Sequence, residues 1–224
     1  VGDIDKIKGS ETEDPKTWKW TETDKLFLDF VKRAHERGIR VVIDGVFNHS
    51  GEKFWAFEDV RAKKQNSKYK DWFNIQSWDP FKWEGWAGFG ALPVFKEDEN
   101  GLVPGVRDHI FNITRRWLDP NGDGDPSDGV DGFRLDVANE VGDNFWIQWR
   151  RVVKSVNPEA YISGEIWENA ARWLSGDMFD SVMNYEFIKR LFRYYVSRDP
   201  IKVSELDRSL KETLQWYPTQ VNMG

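Results

Sequence analysis

Apolar residues first recur at helical spacing early in the chain, where Leu26, Phe27, Phe30, Val31 and Ala34 form one stripe. Thr21 or Thr23 is placed to cap that helix and Gly38 to stop it. The pattern then changes. Ile39-Arg40-Val41-Val42-Ile43-Asp44-Gly45-Val46-Phe47 is a β-branched run that predicts a buried strand. Ile110, Ile113, Thr114, Trp117 and Leu118 predict a second helix, and Val130 to Val137 a second strand. Phe145, Trp149, Val152, Val153 and Val156 share one face of a third helix, Pro158 follows it, and Tyr161 to Ile166 predicts a third strand. Ser181 to Tyr185 is a weaker fourth strand, with helical patterns from about Phe187 and from Ser204. Residues 1–22 read as a loop. From Asn48 to about Pro104 no period holds, and so long an irregular, aromatic-rich stretch points to function rather than plain connection.

Strands alternating with helices predict a parallel sheet, which an open doubly wound fold and a closed barrel both satisfy. No Gly-rich phosphate loop follows a strand, which favours the barrel. At 224 residues the chain is short for an eight-stranded α/β barrel of about 250. The formal charge of −6, with no basic stripe, argues against a nucleic-acid partner. No apolar run reaches the length of a membrane span, and the start Val1-Gly2-Asp3 lacks the features of a targeting peptide. The absence of cysteine excludes disulfides and thiolate metal sites. Thirteen tryptophans could stack on sugars or fill a core, and composition alone favours the core.

Candidate chemistry collects at strand ends. Asp44 and Asn48 share a face of the first strand, with His49 just beyond; Arg134 and Asp136 share a face of the second; Glu165 lies near the end of the third. Asp136 and Glu165 are separated by about one strand–helix unit of roughly 30 residues, so they are expected at one edge of neighbouring strands. That edge is where barrel enzymes place their sites. An internal Arg134–Asp136 salt bridge with Glu165 as a helix cap is the plainer alternative, disfavoured by three acids gathering at one rim. Two carboxylates flanking one bond suit glycoside hydrolysis. Arg134 would keep Asp136 ionised, whereas Glu165 has no cation beside it in sequence, so burial could fit it to act as the acid.

Asp44-Gly45-Val46-Phe47-Asn48-His49, Gly132-Phe133-Arg134-Leu135-Asp136-Val137-Ala138-Asn139-Glu140 and Gly164-Glu165-Ile166-Trp167 resemble, in order, three signatures of the α-amylase family of glycoside hydrolases. The resemblance implies strands three to six of a (β/α)8 barrel, with residues 1–47 and 105–224 as barrel parts and 48–104 as the inserted domain B. It implies Asp136 as nucleophile, Glu165 as acid/base and Arg134 as the partner that keeps Asp136 charged. His49, Asn139, Glu140 and Trp167 would then join Arg134 in contacting the sugar, with Asp44 and Asn48 supporting the site. Val137-Ala138-Asn139-Glu140 is similar to the neopullulanase, cyclomaltodextrinase and maltogenic amylase group. Two positions depart from that group: Glu168 stands where His is usual, and only Leu92-Pro93 matches its domain B signature. The family's His-Asp pair, source of a third carboxylate, is absent; Asp108-His109 is reversed and predicted helical. The segment alone is therefore expected to turn over poorly and, with open sheet edges, to associate.

Asp119, Asn121, Asp123 and Asp125 alternate through Asp119-Pro120-Asn121-Gly122-Asp123-Gly124-Asp125, as in the first half of an EF-hand loop; Val130 stands at its closing position. Calcium and a plain polar turn are both compatible with that loop. Three functions stay open: a retaining hydrolase of starch-derived maltooligosaccharides, cyclodextrins or pullulan; a transglycosylase of the same fold; and a non-catalytic carbohydrate-binding module, which retention of Asp136, Glu165 and Arg134 disfavours.

Overall fold

The computed structural model describes residues 9–198 and 200–217; the sequence-based expectations for the first residues and for Met223-Gly224 lie outside them. Helix α1 (Glu22–His35) begins at a capping box in which the Thr21 hydroxyl accepts from the Asp24 amide while the Asp24 carboxylate accepts from the Thr21 amide. Its predicted stripe divides. Val31 and Ala34 are buried, whereas Leu26 and Phe30 are exposed. Strand β1 (Val42–Gly45) follows, shorter than its β-branched run.

The aperiodic stretch has structure of its own. Helix α2 (Trp55–Lys63) buries Ala56, Phe57 and Val60. A hairpin of β2 (Ile75–Trp78) and β3 (Phe81–Trp83) and a short pair, β4 (Glu97–Asp98) with β5 (Gly101–Leu102), complete it. Single bridges His49–Val94, Phe73–Phe95 and Gly85–Pro93 tie the stretch together and to the residues just after β1.

Helix α3 (Pro104–Leu118) leads to β6 (Gly132–Leu135), α4 (Asp143–Val156) and β7 (Tyr161–Gly164). After them come β8 (Ser181–Val182), α5 (Tyr185–Tyr195) and α6 (Val203–Trp216). The four strands of alternating origin form one parallel sheet in the order β1-β6-β7-β8. Its register aligns Asp44, Arg134 and Ser163 on adjacent strands. Helices α3 and α4 pack together, and Trp149 donates its indole N–H to the Thr114 hydroxyl at 2.7 Å inside the core. Trp72, Trp146, Trp149 and Trp173 are all buried, so tryptophan here serves largely as core.

The expectation of a buried first strand fails on one face. Val42 and Val46 stay 42% and 39% exposed, because nothing among the described residues covers that side of β1. No described helix is long and apolar enough to cross a membrane.

Candidate active site

Arg134 organises the strand tips. Its Nη1 donates to Asp44 Oδ1 and to Asp136 Oδ1, each at 2.7 Å, and its Nη2 lies 2.7 Å from Glu165 Oε2. One planar guanidinium thus holds three carboxylates from three neighbouring strands, a task suited to its fork of donors. Burial works against the charge on Arg134, but the bonds to Asp44 and Asp136 and the charges of Asp44 and Glu165 outweigh it, so its pKa is raised. The Arg134–Asp136 salt bridge forms as the plainer reading supposed, but as part of a larger cluster.

The expectation for Glu165 needs correction. It is buried, at 6% exposure, but a cation stands beside it: Arg134, two residues before Asp136, reaches across from β6. Strand alternation put these residues at one edge but could not show the reach of so long a side chain. Glu165 Oε2 also accepts the Val137 amide at 3.0 Å, and Oε1 accepts the Tyr185 hydroxyl at 3.0 Å. Val137, a β-branched residue, adopts φ 37° and ψ 49° to present that amide. Such a conformation is sterically costly for valine and is characteristic of functional sites.

His49 is buried and stacks on Trp86 with centroids 5.3 Å apart. Burial lowers its pKa against the opposing pull of Asp136, which keeps the imidazole neutral at neutral pH. The Asn48 amide lies 3.3 Å from His49 Nδ1; as a donor it fixes Nδ1 as acceptor and leaves Nε2 with the proton. Trp167, half exposed, stacks face to face on Tyr185 at 4.1 Å and 11°. Sequence reasoning missed Tyr185 and Trp86; a tyrosine closing a strand-like run, Ser181 to Tyr185, was the available signal for the first.

Asn139 and Glu140 line a recess of about 420 Å³ with Glu97, Asp98, Glu99 and Arg172. In the 119–125 loop the side-chain oxygens accept the loop's own amides. Asp119 accepts the amides of Gly122 and Gly124, Asn121 that of Asp123, Asp123 that of Asp125, and Asp125 that of Ser127. Its oxygens thus serve the loop itself, and no group of three or more His, Asp or Glu among the described residues is arranged to hold a metal. Asp128 Oδ1 is buried there without a hydrogen-bond partner, and burial together with the charges of Asp119, Asp123 and Asp125 raises the Asp128 pKa; no chemistry is routed through a metal.

The alpha-amylase family profile, described as the alpha amylase catalytic domain, matches residues 19–223. Neopullulanase 2 of Thermoactinomyces vulgaris is 41% identical over 204 residues, covering 88% of this chain and 33% of that protein. The maltogenic alpha-amylase of Bacillus acidopullulyticus is 38% identical over 207 residues, covering 90% and 33%. Among solved structures, the Nostoc punctiforme debranching enzyme superposes with a TM-score of 0.76 at 37% identity, covering 87% of this chain and 43% of that one. The chain spans about a third of the length of the curated relatives it matches.

Proposed function

The chain belongs to the α-amylase family, and from that premise we propose that it carries the nucleophile and the acid/base of a retaining α-glycoside hydrolase acting on α-glucans. The observation that carries this reading is the single guanidinium of Arg134 shared by Asp44, Asp136 and Glu165 at adjacent strand tips. Residues 48–104 are read as the inserted domain B.

Asp136 has one oxygen, Oδ1, held by Arg134. Its Oδ2 is the oxygen that attacks the anomeric carbon, while Glu165 gives a proton to the departing glycosidic oxygen. The bond from carbon to leaving oxygen breaks as the bond to Asp136 forms, giving a covalent glycosyl-enzyme. Water, deprotonated by Glu165, then attacks the same carbon and releases Asp136. Three carboxyl groups around one cation make a net negative cluster, which favours the oxocarbenium-like charge of both transition states. His49, neutral, donates from Nε2 to a sugar hydroxyl, and the exposed face of Trp167 offers a stacking surface for a neighbouring sugar.

Starch-derived maltooligosaccharides, cyclodextrins and pullulan are the substrates proposed, following the names of the relatives. The test uses the polypeptide that carries this segment at its natural length. A fluorinated α-glucosyl fluoride that slows the second step should leave one sugar mass on the peptide containing Asp136. Asp136→Asn should abolish the adduct. Turnover without any adduct, yielding the β-anomer first, would mean an inverting mechanism and overturn the reading.

A further inference from the structure

Glu165 has two oxygens with unlike surroundings. Oε2 meets the Arg134 guanidinium and the Val137 amide, both of which can only donate hydrogen bonds. A proton on Oε2 would face two donors, so that oxygen is closed to it. Oε1 meets the Tyr185 hydroxyl, which can donate or accept as it rotates. We propose that Tyr185 is the positioning residue that makes Oε1 the proton-carrying oxygen of Glu165. This proposal rests on the acid/base reading of Glu165 and adds a named partner to it. The hydroxyl donates to Oε1 while the carboxylate is charged. When Oε1 is protonated it turns a lone pair to the O–H or releases that proton to an acceptor in the cleft.

The ring is held for this role. It stacks at 4.1 Å on Trp167, two residues beyond Glu165, so the strand end and the start of α5 form one unit. Lys189, one turn along α5, bonds the Trp167 carbonyl and lies over the Trp167 ring, adding a second tie within the same unit. The ionisable groups facing Glu165 are Arg134 from β6, with Asp136 and Asp44 bound to it, and Tyr185 from α5. Of the partners that bond its carboxylate, Tyr185 alone can follow the proton.

The test compares two substrates in the natural-length polypeptide. Maltotriose has a poor leaving group that needs protonation; α-maltosyl fluoride has one that departs with little help. Tyr185→Phe keeps the stack and removes the hydroxyl. Read as kcat/KM, which reports the first step alone, maltotriose hydrolysis should fall on the order of tenfold or more, while the fluoride value changes by about twofold at most. Because the readout is a ratio of rates in one sample, partial unfolding of the variant cannot imitate it. Equal loss on both substrates would overturn the role given to Tyr185. Glu165→Gln is the control. If it too lost both equally, the acid assignment of Glu165 would fail; a selective loss in Glu165→Gln alone would sink only the proposal for Tyr185.

Discussion

His109 should make the protein acid-sensitive by an amount the structure allows one to calculate. It lies on the inner face of α3, 6% exposed, with Trp18, Phe54, Trp55 and Trp72 ringed around it at centroid distances of 5.3 to 6.0 Å. Neither ring nitrogen has a hydrogen-bond partner. Burial among aromatic rings disfavours the imidazolium and pushes the pKa from 6.5 down to about 4. The unfolded chain therefore takes up the proton first as pH falls. Stability is complete above about pH 6.5, declines between 6.5 and 4, and levels off below 4. At pH 5 linkage gives a loss of about 2 kcal/mol relative to neutral pH. His109→Phe keeps an aromatic ring in the box, removes both unpartnered nitrogens and cannot titrate. Urea unfolding followed by tryptophan fluorescence, at pH 7 and pH 5, gives four free energies. The variant should be no less stable than the parent at pH 7, and its loss on acidification should be smaller by about 2 kcal/mol. Parallel losses in the two proteins would refute the argument, since every other titrating group is common to both.

Three further perturbations test other parts of the fold and site. Thr114→Val strands the Trp149 indole N–H that now donates at 2.7 Å inside the core, and should cost about 1–3 kcal/mol in thermal or urea unfolding; an unchanged midpoint would mean the bond is dispensable. Asp119→Ala removes the acceptors for two loop amides and should cost about 1 kcal/mol whether or not a chelator is present. A cost that disappears with chelator would instead assign the loop to calcium. Arg134→Lys keeps one charge but cannot reach three carboxylates at once, and should lower kcat on the order of 10²-fold with little change in melting temperature; near-parent turnover would remove Arg134 from the centre of the site.

Much of the sheet was legible because buried strands and amphipathic helices leave unlike periods in sequence. Helix α4 illustrates this: Phe145, Trp149 and Val153, spaced by four, are all fully buried. Helix α2 was not legible. It has nine residues, no side-chain bond caps its start at Phe54, and its buried positions Ala56, Phe57 and Val60 are too few to establish a period. Its place is set by packing against distant aromatics such as Phe73 and Trp83, which no local pattern contains. Strand ends were predicted longer than they are because β-branched residues continue past the last ladder bond, as at Val46.

The site divides along the same line between local and non-local information. Asp44, Arg134, Asp136 and Glu165 were readable because a parallel register carries strand position directly into space. Asn139 and Glu140 follow Asp136 closely in sequence, yet strand alternation does not give their direction, and Val137 is the reason. Its left-handed backbone ends the alternation of β6 immediately after Asp136, so residues beyond it no longer follow the face of the strand. The same turn delivers the Val137 amide to Glu165 Oε2. One strained residue therefore breaks the strand pattern inside the contiguous motif and donates to one oxygen of Glu165. Strand alternation is a poor guide to side-chain direction wherever the backbone reverses hand within a motif. Here that reversal leaves Oε1, the oxygen beside Tyr185, as the one open to a proton.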